Sequence, residues 1–178
     1  MRALVIGGAR SGKSRIAEEL ALTVADKESL PLVYLATSQG FDEEMKERIA
    51  HHQKNRSLRF QTVEEPLEVA RWLEEQQQHS VVLIECLSLL LTNWMMQGLD
   101  VEDKMGDLKC VLQETTKSWI VVSNEVGMGI VPGDPLSRLY RDHLGRMHQY
   151  IAQMADHVYL TIAGIPLDIK ASQSSFHL

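Results

Sequence analysis

Five short apolar runs recur along the chain: Ala3–Ile6, Leu32–Ala36, Val81–Glu85, Trp119–Ser123 and Val158–Ala163. Their apolar positions are consecutive and often β-branched, which is the pattern of strands covered on both faces in a parallel sheet. Segments with helical spacing lie between most of them. One is Arg15 to Val24, where Ile16, Leu20 and Val24 fall four apart, a helical repeat. Strand alternating with helix predicts an α/β fold with a mainly parallel sheet flanked by helices. Arg59–Val63 reads as a further short strand and Leu167–Lys170 as a final edge strand. No linker, repeat or low-complexity segment interrupts the pattern. Residues 1–170 therefore read as one domain, and 171–178 as a polar tail that frays.

In such a sheet, ligands bind where the strands end, so each strand end is read for chemistry. The first run leads straight into Gly7-Gly8-Ala9-Arg10-Ser11-Gly12-Lys13-Ser14, the G-x-x-x-x-G-K-S pattern, with a helical repeat behind it. A strand before and a helix after form the context that makes this pattern a phosphate-binding loop. Glycines let backbone N–H groups curl round a phosphate, and the helix start adds free N–H groups and a positive dipole end. Lys13 is placed to reach β- and γ-phosphates, and the Ser14 hydroxyl to hold Mg²⁺. The second strand ends in Ala36-Thr37-Ser38-Gln39, which suits either the wall of a nucleotide site or a plain turn.

Glu85 closes the third of these runs. A carboxylate at the end of an apolar strand is costly unless it is paired or sits near a metal. It suits a Mg²⁺ site beside the phosphate loop, directly or through water, and also a cap on a helix starting near Leu87. The run ending at Ser123 passes into Asn124-Glu125-Val126-Gly127-Met128-Gly129, a loop at the active edge that either touches substrate or only turns the chain.

Asp42 to Lys54 reads as a charged helix with acids at its start and a Glu44/Arg48 pair four apart. Met45, Ile49 and His52 share one face of it, while His51 lies about 100° away round the helix. A histidine flanked by Lys54 and Arg56 can attack the α-phosphorus of a nucleoside triphosphate, leaving a phosphoramidate on the enzyme. The same pattern also fits a helix-face histidine with a satisfied hydrogen bond.

Composition narrows the class. The chain has 178 residues, 44% hydrophobic and 24% charged, as in ordinary soluble globular proteins. A net charge of −6 argues against a general nucleic-acid or anionic-membrane surface. No leader-like or membrane-spanning apolar segment is visible. Cys86 and Cys110 lack metal spacing and suggest a reduced, cytoplasmic setting, with Cys86 packed in the core. Enzymes and nucleotide-binding modules both use this loop. The absence of an N-K-x-D guanine-reading motif counts against a GTP switch, whereas a simple P-loop small-molecule kinase stays open.

The ordered set GGARSGKS at Gly7, ATSQ at Ala36, RIAHH at Arg48, VEEP at Val63, IECLSLLLTN at Ile84 and SNEVGMGIVP at Ser123 narrows it further. From Ala3 to about Lys170 the chain resembles the bifunctional adenosylcobinamide kinase / adenosylcobinamide-phosphate guanylyltransferases of coenzyme B12 synthesis. The resemblance implies a P-loop fold like that of recombinase ATPases, usually as a homotrimer, with a corrinoid substrate and Mg²⁺. It implies two reactions. ATP or GTP phosphorylates the cobinamide hydroxyl, and GMP then passes from GTP through a histidine to the phosphorylated cobinamide. The R-I-x-x-H pattern maps the guanylylated residue onto His52. Positions matching nucleotide contacts are Gly7, Gly8, Ala9, Arg10, Ser11, Gly12, Lys13, Ser14, Ala36, Thr37, Ser38, Gln53, Lys54, Asn55, Arg56, Glu64 and Glu85. Glu64 comes from the resemblance alone. Glu85 stands where many members have Asp, Ser57 where they have Pro, Phe60 where they have Trp, and Ser88 where Thr is common.

Overall fold

A computed structural model describes residues 1–38, 56–76 and 78–172 of the chain. In chain order the elements are β1 (Arg2–Gly7), α1 (Lys13–Glu28), β2 (Leu32–Ala36), β3 (Phe60–Glu64), α2 (Val69–Glu75), β4 (Val81–Glu85), α3 (Leu87–Met96), α4 (Val101–Glu114), β5 (Ser118–Asn124), α5 (Pro135–Met154), β6 (His157–Ile162) and β7 (Ile165–Asp168). One seven-stranded sheet has the order β3-β2-β4-β5-β1-β6-β7. Every neighbouring pair is parallel except β6 with β7. The predicted fold class therefore holds. The short strand proposed at 59–63 sits one residue later. The edge strand proposed at 167–170 begins two residues earlier and pairs antiparallel with β6.

Alternate side chains leave each strand on opposite faces, and over the central strands β1, β2, β4 and β5 both faces are covered. Ala3, Val5, Tyr34, Leu83 and Val122 pack with α1 on one side. Leu4, Leu35, Ile84, Trp119 and Val121 pack with α2 to α5 on the other. This double coverage explains why the strands read as unbroken apolar runs.

Helix α1 bears out the helical repeat read at Ile16, Leu20 and Val24. Its buried residues are Ala17, Ala21, Val24 and Ala25, while Ile16 and Leu20 are only half-buried at the margin. Small side chains face the sheet because they let the helix lie close to it, which holds its N-terminus near the end of β1. Further along, α5 starts with Pro135 and a cap in which the Asp134 side chain accepts the Ser137 N–H at 2.8 Å. Among the described residues, no helix is long and apolar enough to cross a membrane.

Candidate active site

The loop between β1 and α1 is built from close approaches. A Cβ on Gly7 would lie 2.5 Å from the Ser11 Oγ and 2.6 Å from the Thr161 carbonyl oxygen, so no side chain fits there. Gly12 has φ +90°, a left-handed conformation that favours glycine, and α1 begins at the next residue. The β6–β7 turn braces the loop from outside, where the Gly164 N–H donates to the Ser11 carbonyl at 2.8 Å. Gly8, Ala9 and Arg10 are left exposed, and no acid occupies the first turn of α1. The result is a helix N-terminus with free N–H groups facing an open loop, an arrangement suited to an anion.

Glu85 meets this loop across the sheet. The Ser14 hydroxyl donates to Glu85 Oε1 at 2.7 Å. The other oxygen, Oε2, is buried with no hydrogen-bond partner. Burial pushes the carboxyl up to about 7, against the opposing pull of the Ser14 hydrogen bond and the Lys13 charge. The helix-cap alternative does not describe the structure, because α3 is capped at Cys86 without any side-chain bond. A hydroxyl and a carboxylate with one orphaned oxygen, beside a phosphate loop, fit Mg²⁺, a hard cation that takes oxygen ligands. Among the described residues, no group of three or more His, Cys, Asp or Glu gathers elsewhere to rival it.

The strand ends beyond Glu85 line up. Ala36 is level with Glu85 on one side and with Glu64 on the other. Thr37 is fully buried, and its hydroxyl both accepts from the Cys86 N–H and donates to the Cys86 carbonyl, each at 2.8 Å. Its own N–H donates to the Glu85 carbonyl at 2.9 Å, and Asn93 Nδ2 donates to its carbonyl at 2.8 Å. Thr37 thus spends its side chain on holding the β4–α3 junction, with Ser38 half-buried beside it. The Arg56 guanidinium carbon lies 3.2 Å above the centre of the Tyr34 ring, and its Nη1 donates to Thr62 at 2.8 Å. Arg56 Nε is buried without a partner. The Arg56 charge opposes the upward push of burial on both Glu18 and Glu85, which ties it to the α1 side of the phosphate loop. Arg56, Thr62 and Glu64 line one open cleft with Ser57, Leu58 and Phe60.

The structure therefore gathers Gly7 to Ser14, Ala36, Thr37, Ser38, Arg56, Glu64 and Glu85 along one sheet edge. The predicted Asp42–Lys54 helix, His51, His52, Gln53, Lys54 and Asn55 lie outside the described residues. Sequence reasoning missed Tyr34, which looks like plain core until Arg56 stacks on its ring. It also missed His148 on α5, whose Nε2 is 2.7 Å from the buried Ser123 Oγ at the end of β5. The helical spacing of Leu144, His148 and Ile151 was the available signal.

Comparison with known proteins fits this edge. A family model described as cobinamide kinase / cobinamide phosphate guanyltransferase (CobU) matches residues 3–169. The chain belongs to this family. Three curated relatives extend the likeness over their whole length. The Pseudomonas aeruginosa bifunctional adenosylcobalamin biosynthesis protein CobP is 44% identical, over 96% of this chain and 98% of that protein. The Escherichia coli CobU of the same description is 38% identical, over 96% of this chain and 100% of that protein. The Salmonella typhimurium CobU is 36% identical with the same coverage. Among solved structures, a KaiC-like protein from Pyrococcus horikoshii matches at a TM-score of 0.49 and 16% identity, over 89% of this chain and 69% of that one.

Proposed function

We infer that this chain phosphorylates adenosylcobinamide with ATP or GTP and then transfers GMP from GTP to form adenosylcobinamide-GDP. The observation that carries this reading is the Ser14–Glu85 contact at the mouth of the phosphate loop, in a chain the family covers from 3 to 169. Lys13 and the free N–H groups of α1 bind the β- and γ-phosphates. Ser14 and Glu85 hold Mg²⁺, which when bound neutralises charge on the triphosphate. Ala36, Thr37, Ser38 and Glu64 border the nucleotide. In the transferase half, His52 attacks the α-phosphorus of GTP, an N–P bond forms and pyrophosphate leaves with its electron pair. Lys54 and Arg56 offset the charge that develops, and Gln53 and Asn55 complete the nucleotide contacts. The phosphate of the corrinoid then displaces His52 and takes the GMP. Homotrimeric assembly, carried over from the resemblance, predicts a particle of about three times the 20.1 kDa chain mass in light scattering.

The test uses α-labelled GTP with Mg²⁺, followed by denaturation and a search for protein-bound label. Label that is stable in alkali, labile in acid and absent from His52→Ala is the expected result. A folded wild-type chain that transfers γ-phosphate to cobinamide without ever acquiring label would refute the guanylyl-histidine step.

A further inference from the structure

Among the carboxylates at this sheet edge, the site described above uses Glu64 and Glu85. It leaves Glu125 without a role. Strand β5 lies between β4 and β1, with Val122 level with Glu85 and Asn124 level with Gly7. The Glu125 N–H donates to the Gly7 carbonyl at 3.0 Å, so the residue is fastened to the entrance of the phosphate loop. Glu85 and Glu125 thus leave the adjacent strands β4 and β5 next to the phosphate loop that follows β1.

The surroundings of Glu125 differ from those of Glu85. Its Oε1 accepts the Gly127 N–H, and its Oε2 lies 3.7 Å from His148 Nδ1. The other nitrogen of that ring is 2.7 Å from Ser123 Oγ, which is fully buried. The His148 and Glu125 side chains are only 12% and 17% exposed. Burial holds the imidazole below its ordinary value of 6.5, against the opposing pull of Glu125. A neutral ring that accepts the Ser123 proton at Nε2 carries its own proton at Nδ1, the nitrogen that faces Glu125 Oε2 across 3.7 Å, a distance for charge–dipole attraction and not for a hydrogen bond. No Lys or Arg among the described residues forms an ion pair with Glu125. Arg141 on α5 donates instead to the Gly127 carbonyl at 2.6 Å. Asn124, next in the chain, is turned to Ser88, with Nδ2 3.0 Å from its Oγ.

A carboxylate with no Lys or Arg partner among the described residues, beside a polyphosphate site, is repelled by that site's charge, so its placement calls for a use. We propose that Glu125 takes the proton from the substrate hydroxyl during phosphoryl transfer, and that His148 and Ser123 are positioning residues that aim it. This rests on the kinase activity inferred above. The hydroxyl oxygen bonds to the γ-phosphorus. The bond from that phosphorus to the bridging oxygen breaks, and the nucleoside diphosphate leaves with the electron pair. The hydroxyl proton goes to the Glu125 carboxylate.

The competing role is a turn clamp, which needs only an acceptor for the Gly127 N–H. Glu125→Gln keeps that acceptor and removes the base. The experiment measures cobinamide phosphorylation by the full chain, with Mg·GTP affinity by calorimetry as the readout of an intact loop. In Glu125→Gln, kcat should fall by about 10²–10⁴-fold, the range for a general base, with the nucleotide Kd and corrinoid KM little changed. Glu125→Asp should recover part of the loss, and His148→Gln should lower kcat by about tenfold without moving KM. Should Glu125→Gln fail to fold, the Asp and His148 variants carry the test. Near-wild-type turnover in Glu125→Gln, or a loss matched by equal loss of nucleotide binding, would overturn the proposal and leave the kinase reading standing. A wild-type chain that phosphorylates nothing would overturn both.

Discussion

The Ser14–Glu85 contact makes a claim about stability as well as chemistry, and Glu85→Gln tests it. The ordinary value for this carboxyl is 4.5, and in the fold it titrates near 7. Folding therefore favours the protonated form. Stability from this group is fully present below 4.5, falls as pH rises through the window to 7, and is flat above it. The fall is worth about 3 kcal/mol, since each pKa unit corresponds to about 1.4 kcal/mol. Glutamine resembles the protonated acid: its carbonyl can accept from Ser14 at any pH. Its amide nitrogen replaces the unpartnered Oε2 and adds a penalty that does not depend on pH. The comparison that matters is thus the change between pH 4 and pH 8.5, where that constant penalty cancels. Thermal unfolding of the nucleotide-free protein in chelator should show wild type losing about 6–12 °C more than Glu85→Gln over this span, at ~2–4 °C per kcal/mol for a chain of this size. Adding Mg²⁺ and GTP should then raise wild type at pH 8.5 far more than the variant, since ligand binding adds to stability by mass action. Parallel pH profiles for the two proteins would refute the reasoning, because they would mean that Glu85 titrates alike folded and unfolded.

Three further changes probe the same edge. Gly7→Ala forces a Cβ against the Thr161 carbonyl and should cost about 1–3 kcal/mol, read as a lowered Tm, whereas Gly8→Ala meets open space and should leave the Tm unchanged. Thr37→Val strips the Cys86 N–H and carbonyl of their shared partner and should cost about 1–3 kcal/mol in denaturant unfolding, with Thr37→Ser restoring most of it. Arg56→Met keeps a stem over Tyr34 but removes the charge, and GTP affinity measured by calorimetry should fall by about 10–100-fold, the worth of a charge-assisted hydrogen bond.

How much of this was legible in the sequence depended on whether the cause was local. The phosphate loop announced itself because its glycines, Lys13 and Ser14 act through contiguous backbone. Glu85 stood out because a charge at the end of Val81–Ile84 breaks an apolar run. The strands read correctly because both sheet faces are covered and no alternation blurred them. The repeat at Ile16, Leu20 and Val24 marked α1 as a helix but not its deepest face, because periodicity weights Ile16 and Leu20 above alanine while Ala17 and Ala21 lie against the sheet. Thr37 could be placed at the edge, yet nothing local reveals that its hydroxyl is spent on a peptide 49 residues away. The Arg56–Tyr34 stack spans a strand and the turn before another, and so leaves no periodic trace.

The two carboxylates show the limit most clearly. Glu85 and Glu125 look alike in sequence, each an acid at the end of an apolar strand. The fold separates them by what they touch. Glu85 receives a hydroxyl from the phosphate loop and keeps one buried oxygen without a partner. Glu125 faces an imidazole whose far nitrogen is tied to a buried serine. One environment suits an oxygen-seeking cation, and the other an acceptor held in a fixed direction for a proton. The distinction comes from which helix each strand end faces. Glu85 ends a strand that looks toward α1, whereas Ser123 on β5 meets His148 on α5, a pairing 25 residues apart that only the closed sheet brings together.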